Sequence, residues 1–166
     1  MTSLIFDVSG LAGNPGASRP IRQEVLLHDL GSAVGRLVED APVVLDLVAH
    51  ATVEGVLVTG DVKGTLELVC SRCTAEFRLG FTHELDDLFR FEKAASDDLA
   101  IELGRIDMKG PITDAVVLSI PAYPLHDPAC RGLCPRCGID RNIEECPHSD
   151  KPVDIRWEPL KELLND

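Results

Sequence analysis

The sequence predicts an α+β fold: an antiparallel β meander, short helices, and a C-terminal segment organised by cysteines. Three observations predict it. Apolar and polar residues alternate with period two in stretches between Val43 and Thr82, as they do in strands with one buried and one wet face. Prolines bracket a short apolar run, Pro111 to Pro121, as they often bracket a helix. The chain of 166 residues carries 6 cysteines, and several fall in Cys-x2-Cys pairs.

The elements follow in order. Leu4 to Val8 is a short strand-like run, and Gly10 to Pro20 is a loop rich in Gly and Pro. That loop lacks the Lys-Ser/Thr ending of a phosphate loop, so it is expected to be a surface connection. Arg22 to Leu30 is compatible with a strand or a short helix. Val43 to Val48 and Val53 to Val58 read as strands, with a turn at Gly60-Asp61. Thr65, Glu67 and Val69 then alternate with Leu66, Leu68 and Cys70, and Phe77, Leu79 and Phe81 alternate with Arg78 and Thr82. Cys70-Ser71-Arg72-Cys73 falls between two strands, where a hairpin turn belongs.

Residues 84–110 are acidic, with Glu84, Asp86 and Asp87 at their start. They read as a solvated loop with a short strand; an acidic docking surface for a basic partner is the competing reading. A helix is predicted near residues 112–120, with Pro111 in its first turn and Asp114 at its positive end. In the tail, Trp157, Leu160, Leu163 and Leu164 share one helical face, with Trp157 as a core anchor. The expected organisation is a β-rich body over residues 1–125. Residues 126–166, a cysteine segment and a final helix, are expected to pack on it as one domain.

Composition narrows the function. Hydrophobic residues make up 45% of the chain, which suffices for a core. Lys+Arg is 16 against 28 Asp+Glu, a net charge of −12. Such a chain repels phosphates overall, which excludes a generic RNA-coating role. No apolar run approaches the roughly 18 residues of a membrane span, so no membrane partner is expected. Met1 to Val8 has no basic region and carries Asp7, so no signal peptide is expected and the location is expected to be cytoplasmic. Cysteines in that compartment favour metal or redox chemistry over disulfides.

Cys70-x2-Cys73 and Cys134-x2-Cys137 are two knuckles. Two thiolates two residues apart can turn onto one ion, and Gly138 permits the left-handed backbone such turns often need. With Cys130, Cys146, His126 and His148 the candidate ligands fill two tetrahedral zinc sites. Spacing favours one Cys3His site from Cys70, Cys73, His126 and Cys130, and another from Cys134, Cys137, Cys146 and His148. The rival division pairs the two knuckles with each other. In the favoured division both sites read as structural, because three thiolates and a histidine leave no position for a reactive water. A dithiol switch is disfavoured: Cys70-x2-Cys73 lies strand to strand, whereas thioredoxin-like chemistry expects a helix after the motif. His28, His50 and His83 are isolated and are not expected to be ligands. Arg72, Arg131, Arg136 and Arg141 lie in or beside the cysteine clusters. They either offset the negative zinc–thiolate centres or form a local basic patch able to touch phosphate.

The run Leu118-Ser119-Ile120-Pro121-Ala122-Tyr123-Pro124-Leu125-His126, followed by Cys130-Arg131-Gly132-Leu133-Cys134-Pro135-Arg136-Cys137-Gly138, resembles the YceD family, the bacterial large ribosomal RNA accumulation proteins. Leu68-Val69-Cys70-Ser71-Arg72-Cys73 resembles that family's first signature, and Asp154-Ile155-Arg156-Trp157-Glu158-Pro159-Leu160 resembles its close. The resemblance covers residues 43–166. It departs at His126 and at His148, where cysteine-rich members usually carry cysteine; both replacements keep a zinc ligand. Some members lack the second knuckle.

The resemblance implies a non-enzymatic role in large-subunit ribosomal RNA accumulation and ribosome assembly. It implies contacts with a ribosomal protein of the large subunit or with its RNA, and no small-molecule substrate. A zinc-ribbon adaptor in transcription or another protein-interaction role is the alternative; a zinc or thiol enzyme is the remaining class.

Overall fold

The computed structural model describes residues 4–11, 13–92 and 99–148. Its strands are β1 (Ile5–Asp7), β2 (Ser18–Val25), β3 (Gly31–Ser32), β4 (Gly35–Leu37), β5 (Val43–Ala51), β6 (Gly55–Val69), β7 (Glu76–Arg90) and β8 (Arg105–Asp107). One helix, α1 (Lys109–Leu118), follows. The fold is α+β, an antiparallel meander with a short helix. β1 and β8 form a two-stranded ribbon, and the remaining strands form one antiparallel sheet around β6. β5 lies along the first part of β6 and β4 along its last residues, while β7 pairs with its whole length on the other side.

The period-two pattern does what it predicts in β5, where Val43, Leu45, Leu47, Ala49 and Ala51 are buried. From β6 the core takes Val56, Val58, Val62, Leu66 and Leu68. Leu4, Val8, Ile106 and Met108 close over this face beside Ile112, Ala115 and Val116 of α1. The helical residues are spaced three and four apart, one stripe facing the sheet. Of the ambiguous stretch 22–30, only Arg22 to Val25 is strand, in β2, with Ile21 and Val25 buried on one face; residues 26–30 are neither strand nor helix.

Several sequence expectations are corrected. Gly60-Asp61 is not a turn: both residues continue β6, paired with Leu47 and Asp46 on one side and Leu85 and Glu84 on the other. Gly60 is required there because its φ is 135° and a Cβ would lie 2.3 Å from the Asp46 carbonyl oxygen. The hairpin lies earlier, at Thr52–Glu54. There the Thr52 N–H donates to the Gly55 carbonyl (2.9 Å) and the Gly55 N–H donates to Thr52 Oγ1 (3.1 Å). Val53, expected in a strand, is 84% exposed in this turn.

Residues Glu84–Arg90 are strand rather than loop. Charge did not preclude a strand because successive side chains take opposite faces, so Glu84 and Asp86 face water while Leu85 and Phe89 enter the core. At the other end of β7, Leu79 stays exposed and Phe77 and Phe81 are half-buried. α1 begins at Lys109, where the Asp107 carboxylate accepts the Lys109 N–H (2.9 Å). Asp114 therefore falls beyond the first turn and cannot serve the helix dipole as expected. The predicted final helix with Trp157, Leu160, Leu163 and Leu164 lies outside the described residues.

Two outcomes test this packing. Gly60→Ala should cost about 1–3 kcal/mol, because strain at positive φ is joined by a clash with backbone; urea unfolding with an unchanged slope measures it. Burial, with the neighbouring Asp86 and Asp114 carboxylates, holds the Asp87 carboxyl above its ordinary range. A carboxyl raised on folding favours the fold only while protonated, and that contribution is lost as pH rises through the folded pKa. Asp87→Asn should therefore raise Tm at pH 7, with the gain vanishing below the unfolded carboxyl pKa near 3.8. Thermal melts of both proteins across that range decide it.

Candidate metal centres

The two knuckles share one backbone design. In the first, the Cys70 N–H donates to the Ala75 carbonyl (2.9 Å) and the Thr74 N–H to the Cys70 carbonyl (2.9 Å). In the second, the Cys134 N–H donates to the Ile139 carbonyl (2.8 Å) and the Gly138 N–H to the Cys134 carbonyl (2.8 Å). Each turn needs a left-handed residue directly after its second cysteine. Gly138 supplies it at φ 75° and Thr74 at φ 60°. Sequence reasoning found the first of these from glycine. It missed Thr74, because a β-branched residue is a poor candidate for positive φ. The Thr74 hydroxyl donates to the Cys73 carbonyl (2.7 Å) within that turn.

The structure brings the candidate ligands together in two sets. Cys70, Cys73, His126 and Cys130 have donor atoms all within 4.8 Å of one another, and so do Cys134, Cys137, Cys146 and His148. This is the division that spacing favoured; the knuckles do not pair with each other. A zinc tetrahedron with sulfur at about 2.3 Å requires S···S edges of about 3.8 Å and S···N edges of about 3.5 Å. Cys70 Sγ lies 3.9 Å from Cys130 Sγ, and Cys73 Sγ lies 3.4 Å from His126 Nδ1. In the second set Cys137 Sγ is 3.5 Å from Cys146 Sγ, and His148 Nδ1 is 3.8 Å from Cys134 Sγ and 3.3 Å from Cys146 Sγ. Both clusters are therefore capable of coordinating a metal, each histidine through Nδ1, and the donor chemistry suits zinc.

The first set is a staple. Cys70 and Cys73 sit in the β6–β7 hairpin turn, and His126 and Cys130 in the loop after α1. Around it, the Ser71 N–H donates to the Pro124 carbonyl (2.8 Å) and the Leu133 N–H to the Arg72 carbonyl (2.9 Å). The Arg72 guanidinium donates to the Cys130 carbonyl (2.9 Å). Gly132, at φ 71°, passes so close that a Cβ would meet the Arg72 carbonyl oxygen at 3.0 Å. Asn142, from the loop of the second set, donates to Cys130 Sγ (3.4 Å) and accepts the Arg131 N–H (2.7 Å). It thus ties the two sets together, and nothing in its sequence spacing marked it. Leu125 and Phe77 pack against the first set.

Protonation follows this geometry. Burial alone would push the Cys70 thiol up, but N–H donors from His126, Arg72 and Cys73 outweigh it and bring it to about 5. The Ala75 N–H favours the Cys73 thiolate, yet burial and the Cys70 and Cys130 sulfurs push that thiol up to about 11. The Arg136 and Cys137 backbone N–H groups lower Cys134 to about 6. Cys146 moves upward: burial and the Cys134 and Cys137 sulfurs overcome the His148 N–H. Each set thus favours one thiolate and resists a second, and a divalent cation among the sulfurs removes that resistance.

The sets differ in exposure. Three of the four residues in the first are buried; in the second only Cys134 is, and Cys137 is exposed. Of the four arginines, Arg72, Arg131 and Arg136 are exposed and Arg141 is half-buried, with its N–H donating to the Gly132 carbonyl (3.0 Å). Arg72 is committed in part to the staple.

The expected zinc content is about two equivalents by elemental analysis. Cys134→Ser should release one and spare the other, whereas loss of both would tie the centres into one unit. Cys70→Ser should lower Tm more than Cys134→Ser, because its centre closes the long loop between residues 73 and 126.

Residues 58–164 match the family model described as large ribosomal RNA subunit accumulation protein YceD. An uncharacterized protein of Mycobacterium tuberculosis (strain H37Rv) is 34% identical over 97% of this chain and 81% of its own length. One of Mycobacterium leprae is 28% identical over 99% of this chain and 79% of its own length. No solved structure matches.

Proposed function

The chain belongs to the YceD family, and from that premise we propose that it is a zinc-binding factor supporting large-subunit ribosomal RNA accumulation and ribosome assembly. Family members are non-catalytic. The observation that carries the reading is that the matched region, residues 58–164, contains both Cys/His clusters and all but the first residues of the β6–β7 hairpin that bears Cys70 and Cys73. The family relationship therefore rests on the part of the chain that the clusters organise.

The eight clustered residues are the proposed ligands of two structural zinc ions: Cys70, Cys73, His126 and Cys130 hold one, Cys134, Cys137, Cys146 and His148 the other. Zinc would supply no reaction here. It would fix the residues from His126 onward on the β-rich body, so that residues 1–125 and 126–166 act as one domain, consistent with a scaffold that presents surfaces.

Two surfaces are proposed for contact. The acidic surface of a chain whose net charge is −12 attracts a basic protein of the large subunit and discourages indiscriminate RNA binding. Arg72, Arg131, Arg136 and Arg141 offer a local phosphate contact at the knuckles. Among the described residues no helix is long and apolar enough to cross a membrane; a cytoplasmic location is part of the proposal. Depletion of the protein should lower free large subunits and large-subunit RNA relative to the small subunit in sucrose-gradient profiles. Unchanged profiles with an altered transcript pattern would favour a transcription adaptor instead.

A further inference from the structure

Among the described residues, the outer edge of β7 is unpaired over most of its length. β7 pairs with β6 residue for residue from Glu76 to Arg90, without a bulge. In such a ladder the N–H and C=O of one residue point to the same side, and successive residues alternate sides. Arg90 identifies the outward set: its N–H donates to the Leu99 carbonyl (2.8 Å) and its C=O accepts the Ile101 N–H (3.0 Å). Counting back by two, the backbone groups of Leu88, Asp86, Glu84, Thr82, Gly80 and Arg78 face outward as well. Among the described residues none of them has a backbone partner on that side.

Proteins blunt long edges against self-pairing with proline, bulges, brevity, charged side chains or a covering segment. β7 has 15 residues, contains no proline and keeps an unbroken register. Its distinguishing feature is carboxylate. Glu84 and Asp86 project from the solvent face, while Asp87 projects from the core face toward Asp114 of α1. Among the described residues no lysine or arginine pairs with any of the four. Between this part of β7 and α1 runs a groove of about 420 Å³. Its lining includes Leu85, Pro111 and Ala115, with Leu118 73% exposed.

We propose that the Thr82–Leu88 edge of β7 receives an extended, lysine- or arginine-rich segment of a partner protein as an added strand. Backbone pairing supplies the register. The side chains of an added strand alternate between two faces, and both faces are acidic here. Cations on the groove side meet Asp87 and Asp114, and those on the other side meet Glu84 and Asp86. A second copy of this chain is a poorer occupant, since it would set the same carboxylates against these. This inference rests on the proposed contact with a basic ribosomal protein and names how that contact is made.

The test uses the full chain and two decapeptides of equal charge: a Lys-Lys-Val-Val repeat (Lys–Val), which sets lysines on both faces, and a Lys-Lys-Pro-Pro repeat (Lys–Pro), which sets prolines on both edges in any register. Proline cannot complete the ladder. Lys–Val should bind about tenfold more tightly or better, and hydrogen exchange should slow at the Thr82, Glu84 and Asp86 amides when it binds. Thr82→Pro leaves the charge unchanged and removes an outward N–H without removing a ladder bond to β6, so it should weaken Lys–Val binding and spare Lys–Pro. If that variant fails to fold, the exchange measurement on the native chain decides alone. Equal binding of both peptides without slowed exchange would overturn strand addition and leave the acidic contact standing. Binding of neither would overturn both. Slow exchange at these amides in the free protein, or a dimer in sedimentation that Thr82→Pro dissolves, would show the edge already occupied and also overturn the inference.

Discussion

Crowded sulfur is the constraint on which the C-terminal part of this protein depends. Cys70 and Cys73 come from one hairpin turn and Cys130 from a loop beyond the helix, and all three are buried with His126 at their side. Thiolates packed this closely repel one another, as the opposite displacements of Cys70 and Cys73 show. A cation in their midst would turn that repulsion into attraction, and the backbone around them suits one. N–H groups point at the sulfurs, Thr74 accepts a conformation its side chain disfavours, and Gly132 lets the two segments touch.

The hairpin that carries the staple belongs to the longest ladder in the fold. β6 and β7 run together for 15 paired residues, so the knuckle at their tip is held by a rigid lever. At its opposite end this ladder enters the core through Leu85 and Phe89 and meets α1. The chain from α1 returns to the tip as Pro124 and His126. One ladder thus joins the apolar core at one end to the cysteine core at the other. The second cluster is built differently. All of its members lie between residues 134 and 148, and Cys137 is exposed, so it closes a short local loop. Asn142, bonded to Cys130 Sγ, links that loop to the staple.

Much of this was legible in the residues. Alternation from Val43 onward marked β5 and the later half of β6, and the cysteine pairs with their neighbouring histidines marked both clusters. What misled was chemistry read without context. Gly60-Asp61 has turn composition, yet the glycine is there because neighbouring backbone leaves no room for a side chain. Glu84 and Asp86 have loop composition, yet they occupy the solvent face of a strand whose other face gives Leu85 and Phe89 to the core. Thr74 and Asn142 carried no signal, since their roles exist only once the turn and the loop have closed.

By itself the sequence determined the α+β class, the strands of strongest alternation and the identity of the eight clustered donors. These are local properties, set by side-chain period and residue chemistry. The tertiary structure alone decided that β6 continues through its glycine, that Asn142 reaches the first cluster, and which edge of β7 lacks a partner among the described residues. Those outcomes depend on backbone segments far apart in the chain approaching to within a hydrogen bond, and spacing along the chain does not encode that approach.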